Sequence, residues 1–158
     1  MKRYLLPLLL TTALILAACS APASASDQAS AEPAPVSEEA ASANNSLTRS
    51  DVQGAVTVNV TPLNLDNPSD QLEFDIALET HSVDLSMDLA TLATLTTDTG
   101  ITVQATKWDA PRGGHHVEGT LIFPATKDGK AILDNASELT LMITDVDALS
   151  RVFQWTVP

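Results

Sequence analysis

Gln71-Leu72-Glu73-Phe74-Asp75-Ile76-Ala77-Leu78-Glu79-Thr80-His81-Ser82-Val83-Asp84-Leu85-Ser86-Met87-Asp88-Leu89 is the stretch that decides the fold. Leu72, Phe74, Ile76 and Leu78 hold even positions and alternate with Glu73, Asp75 and Ala77, the period-two pattern of a strand with one buried face. Val83, Leu85, Met87 and Leu89 hold odd positions instead. A one-residue slip of phase turns every side chain to the opposite face, so the chain must bulge or break near Thr80-His81-Ser82. In a protein of two packed sheets, such a break is where the chain crosses between them.

The same alternation recurs on both sides of this stretch. Val56, Val58 and Val60 form a strand that ends at Thr61-Pro62, and Asp66-Asn67-Pro68-Ser69-Asp70 is a turn-rich loop. Asp88 caps a turn of helix at most. Thr94 to Thr97 and Ile101 to Lys107 read as a hairpin about Asp98-Thr99-Gly100, with Ile101, Val103 and Ala105 inward. Trp108 to Gly114 reads as a loop rich in Pro and Gly. Val117, Leu121 and Phe123 mark another strand, closed by Pro124, and Lys127-Asp128-Gly129-Lys130 is a turn. Leu139, Leu141 and Ile143 form the next strand; Phe153, Trp155 and Val157 form the last. Seven or eight short strands without a long helical pattern predict an all-β domain, a single antiparallel β-sandwich of immunoglobulin-like topology.

Ahead of the domain, Lys2 and Arg3 precede an apolar run from Leu5 to Leu16, and small residues Ala17 and Ala18 precede Cys19, the one cysteine in the chain. That is the layout of an export signal, with an apolar run short of the ~20 residues that span a bilayer. Leu16-Ala17-Ala18-Cys19 resembles the lipobox of bacterial lipoproteins. The resemblance implies a signal peptide over residues 1–18 and a Cys19 that carries acyl chains such as palmitate, anchoring the chain to a membrane. A lone thiol cannot close an intramolecular disulfide in an oxidising compartment, and lipidation gives it a use. The implied address is the cell envelope, at the outer membrane or the exterior face of the cell membrane. Ser20, which is not Asp, is compatible with outer-membrane sorting.

Residues 20–48 are almost entirely Ala, Ser, Pro, Glu, Asn and Gln, with Val36 and Leu47 the larger apolar exceptions. Such a segment buries too little surface to offset the entropy of ordering it. Residues 19–48 are therefore expected to be a lipidated cysteine and a linker of about 30 Å mean span. Residues 49–158 are expected to be the sandwich. The net charge is −12, and removal of residues 1–18 would take away two basic side chains and no acid. Nucleic acid and anionic headgroups are poor partners for such a chain, because binding them needs clustered Lys and Arg.

The three histidines fall in two places, His81 at the phase slip and His115-His116 after Gly113-Gly114. Imidazole is the commonest metal ligand, and copper or zinc is the cofactor these residues would take. His81 with one of His115 and His116 would be the ligands, and Glu79, Glu118 or Asp109 a third. Packing or capping is the other role open to them. By parity His115 goes inward with Val117 and His116 outward with Glu118. Met87 and Met142 are soft donors for Cu(I), while Asp66, Asn67 and Asp70, or Asp145 and Asp147, offer oxygens of the kind calcium takes. Trp108 and Arg112 could floor and charge a ligand pocket beside the histidines.

No nucleophile elbow, His-Glu-x-x-His motif, phosphate loop or CxxC pair is present, so no catalytic residue is assigned and no enzyme is expected. The expected function is a membrane-anchored, non-enzymatic binding module that meets an envelope protein. The alternative is a metal-binding module built on His81, His115 and His116.

Overall fold

A computed structural model of the protein describes residues 47–158. The signal peptide, Cys19 and all but the last two residues of the expected linker lie outside the described residues.

Among the described residues, eleven strands follow one another as β1 (Arg49–Gln53), β2 (Val56–Pro62), β3 (Gln71–Thr80), β4 (Ala93–Thr97), β5 (Thr102–Gln104), β6 (Lys107–Asp109), β7 (His116–Pro124), β8 (Thr126–Lys127), β9 (Lys130–Ala131), β10 (Glu138–Thr144) and β11 (Ser150–Thr156). A single helical turn, α1 (Leu89–Leu92), precedes β4. The strands form a five-stranded sheet ordered β1-β2-β3-β7-β6, a four-stranded sheet ordered β11-β10-β4-β5, and the small β8-β9 hairpin. The pairs are antiparallel. The described residues thus form an all-β domain of two packed antiparallel sheets.

Alternation along each strand builds the core. Val56, Val58 and Val60 of β2, Leu72, Phe74, Ile76 and Leu78 of β3, and Leu139, Leu141 and Ile143 of β10 are buried, while the residues between them are more exposed. Phe74 ties the layers together. Its ring meets Phe123 edge-on at 5.7 Å within its own sheet and Trp155 of the facing sheet at 5.6 Å. Aromatic pairs at such spacing add stabilisation beyond the area they bury. The Trp155 indole N–H donates to the Leu47 carbonyl at 2.6 Å, which fastens the chain just ahead of β1.

The phase slip near Thr80-His81-Ser82 marks a crossing between sheets, and the structure shows a second slip at another crossing. β3 ends at Thr80, whose buried hydroxyl donates to the Ala55 carbonyl at 2.8 Å and accepts from the Ser82 and Val83 amides. A side chain that engages the backbone beyond it ends a ladder. Residues 81–88 are irregular, which corrects the strand expected over Val83 to Leu89. Leu85 and Leu89 are still buried there. The chain then enters the other sheet as β4. The second slip separates inward Ala105 from inward Trp108, where the chain returns between β5 and β6. Lys107–Asp109 is a strand paired with β7, not the start of a loop, and Trp108 lies opposite Leu121.

β1 was not expected at all. Its pairing places Arg49, Asp51 and Gln53 opposite Val60, Val58 and Val56, on the side of the sheet that faces inward, so its inner positions are polar. They meet Arg151 of β11, whose side chain has no exposed surface. The guanidinium donates to the Asp51 carboxylate at 2.6 Å and to the carbonyls of Asp51, Gln53 and Val146 at 3.2, 2.8 and 3.0 Å. In return Arg49 donates to the Gln154 carbonyl and Gln53 to that of Ser150, each at 3.2 Å. Buried charge is tolerated only when paired and hydrogen-bonded in this way.

Gly119 of β7 permits the close approach of the residues after Trp108. A Cβ added there would overlap the Ala110 Cβ and the Asp109 carbonyl oxygen. Overpacking against backbone costs about 1–3 kcal/mol. Gly119→Ala is therefore expected to lower unfolding free energy by that amount in urea denaturation; an unchanged midpoint would contradict this packing.

Candidate functional site

The outer face of the five-stranded sheet gathers the titratable side chains. β3 contributes Glu73, Asp75 and Glu79, β7 contributes His116 and Glu118, and β6 contributes Lys107 and Asp109, all at non-buried positions of alternating strands. Register decides which of them meet. Glu79 lies directly across from His116, and Ala77 across from Glu118. The small Ala77 side chain leaves a hollow of about 200 Å³ lined by Ala77, Leu78, Glu79, His116, Val117 and Glu118.

His81, one residue beyond the end of β3, brings its ring to 6.5 Å from that of His116, nearly perpendicular at 81°. The histidines separated by 35 positions in sequence are thus neighbours, and both are exposed. His115 is exposed too, against the inward side predicted from parity. β7 begins at His116, so the alternation does not extend back to it. Its carbonyl accepts from the Thr80 amide at 2.9 Å. Among the described residues no group of three or more His, Cys, Asp or Glu is placed to hold a metal ion.

The loop that carries the histidines is pinned by its glycines and arginine. Gly113 and Gly114 have φ of 83° and 103°, a region that glycine enters without steric cost. This turn lets Gly113 N–H donate to the Leu85 carbonyl and Leu85 N–H donate to the Gly114 carbonyl. Asp84 accepts from the Gly114 amide at 3.1 Å. Arg112 donates to the Asp88 carboxylate at 2.8 Å, and the same carboxylate caps α1 at the Ala90 amide. Arg112 is therefore engaged in holding the loop. Trp108 is a core residue of β6 and borders neither this hollow nor a second one of about 330 Å³ between Gly100, Ile101, Lys127, Asp128 and Lys130.

The other donors are dispersed. Met87 packs against the core, and Asp109 is ion-paired with Lys107 at 2.8 Å. Asp147 accepts from the Ala55 amide at 2.6 Å and so fastens the β1–β2 turn. Met142 is 39% exposed on the outer face of the four-stranded sheet, directly across from Val152, 52% exposed. That face is otherwise built of Thr, Ser and Gln, with Glu138 its one charged residue. Alternation with the buried Leu141 and Phe153 was the signal for both exposed apolar residues.

No protein-family model matches the sequence, and no curated protein matches it. Among solved structures, a DUF4426 family protein from Pseudomonas aeruginosa PAO1 is similar, at 10% sequence identity and a TM-score of 0.41, over 68% of this chain and 92% of that one. A likeness of that size carries no argument about function.

Burial raises the Asp75 carboxyl above its ordinary range, and the nearby Glu118 carboxylate adds to the shift. A carboxyl raised in the folded state favours folding below its unfolded pKa, and that contribution is lost as pH rises through the folded value. Asp75→Asn should therefore be more stable than the parent at neutral pH, with the difference vanishing on acidification below the ordinary aspartate range. Thermal melts across pH check this; an equal difference at all pH values would contradict it.

Proposed function

We propose that the chain is a lipid-anchored lipoprotein of the bacterial cell envelope whose immunoglobulin-like β-sandwich is a non-enzymatic binding module for another envelope protein. The lipobox-like Leu16-Ala17-Ala18-Cys19 supports the anchor, and the Ala/Ser/Pro/Glu stretch after it supports a tether. Strand order supports the immunoglobulin-like topology. β2-β3-β7-β6 takes the places of strands A-B-E-D, and β5-β4-β10-β11 those of C′-C-F-G, with β1 added at the edge. The chain has one cysteine, so the inter-sheet disulfide of antibody domains has no counterpart.

The observation that carries the binding-module reading is the contrast between the two outer faces. One is crowded with carboxylates. The other is almost uncharged in a chain of net charge −12, and has Met142 beside Val152 at its middle. An uncharged face with an apolar centre and a polar surround is the composition of a protein interface, in which charge is depleted from the core and kept to the rim. Thr140, Met142 and Val152 are the residues assigned to the contact.

Two measurements test this reading. Cells fed an alkyne analogue of palmitate should label the parent chain and leave Cys19→Ser unlabelled; equal labelling of the two would defeat the anchor. A photo-crosslinking amino acid at position 142 should yield a discrete higher-mass adduct in intact cells, and one at position 73 should not. Adducts from both faces, or from neither, would defeat the assignment of the interface.

A further inference from the structure

We propose that His81 and His116 form a two-imidazole chelating site for a divalent transition metal on the outer face of the five-stranded sheet. The proposal is independent of the binding face assigned to the other sheet.

The ladder places the donors. Thr80 N–H donates to the carbonyl of His115, the residue directly opposite it, so those two form a hydrogen-bonded pair. The next pair along, Glu79 with His116, is then of the non-hydrogen-bonded kind, in which side chains stand closest. His81 follows two residues after Glu79, and its ring reaches the same place from the end of the strand. Two imidazoles thus meet at the end of two adjacent strands, beside the Glu79 carboxylate.

Distance and chemistry both favour a metal. Two imidazoles bound to one ion at about 2.0–2.1 Å per bond hold their ring centroids roughly 5 Å apart. The observed 6.5 Å closes to that by small rotations of exposed side chains. Neither ring is packed in the core, and among the described residues neither makes a hydrogen bond that metal binding would break. A dication is also electrostatically suited to the face, where Glu79, Glu118 and Asp75 outnumber the cations and concentrate positive ions at the hollow. Imidazole donors select Cu²⁺ and Zn²⁺ over Ca²⁺ or Mg²⁺, and Cu²⁺ should bind more tightly than Zn²⁺. Water would complete the coordination of so open a site.

The experiment is calorimetric titration of the full chain in detergent with CuCl₂, and separately with ZnCl₂, at neutral pH. Cys19→Ser removes the one thiol from every sample. One equivalent of Cu²⁺ should bind, with affinity lowered at least about tenfold in His81→Ala and in His116→Ala. His115→Ala should bind as the parent does, and Glu79→Gln should weaken uptake less than the loss of either imidazole. The thermal midpoint without metal checks that each variant is folded, and electron paramagnetic resonance of the Cu²⁺ complex should show coupling to two nitrogens. Absence of saturable uptake, uptake indifferent to His81 and His116, or equal weakening by His115→Ala would each overturn the proposal.

Discussion

A guanidinium shut away from water holds the two sheets together along one side of the domain. Arg151 occupies an inward position of β11, where alternation with Phe153 and Trp155 would otherwise call for an apolar side chain. Its charge is met by Asp51, and its remaining donors by backbone carbonyls of β1 and of the loop before β11. An unpaired charge at that depth would be very costly, so β1 must be in place whenever β11 is. β1 depends on the arginine in turn. Its inner residues are polar and contribute little hydrophobic burial of their own.

Reciprocal bonding also answers a general hazard of open sheets. β1 and β11 are edge strands, and edges with free backbone groups invite pairing with other chains. Here Arg49 and Gln53 cover carbonyls of β11, while Arg151 covers carbonyls of β1. That side of the sandwich is sealed by side chains where a further strand could add. The two outer faces differ in turn, one acidic with neighbouring histidines and the other nearly uncharged. Their difference follows from which residues fill the outward positions of each strand, and it underlies the proposals of a cation site on one face and a protein interface on the other.

Much of the architecture was readable in the order of residues. Most strands with an apolar inner face announced themselves by alternation, and the slip of phase after Thr80 marked one point where the chain changes sheet; β6, with Trp108 as its inner residue, read instead as a loop, and the crossings from β5 to β6 and from β7 to β10 were not marked. β1 escaped because Arg49, Asp51 and Gln53 leave no apolar period to detect. Arg151 itself shared parity with Phe153 and Trp155, so its inward direction was available from the sequence, though its partner a hundred residues earlier was not. The pairing of His81 with one of His115 and His116 was suggested by their chemistry, but which of the two it would be was not legible. Parity wrongly turned His115 inward, and the proximity of His81 to His116 depends on the register that sets Glu79 against His116.

A double-mutant cycle on Arg151 and Asp51 tests the central claim most directly, with unfolding free energies measured in urea for the parent, Arg151→Met, Asp51→Asn and the double variant. Each single change should cost about 3–5 kcal/mol, because either leaves buried polar groups without their partner. The double variant should lose less than the sum, by more than about 1 kcal/mol, since the two residues act on one another. Losses that add within about 0.5 kcal/mol, or an Arg151→Met variant as stable as the parent, would contradict the account of β1 and β11 as a single clasp.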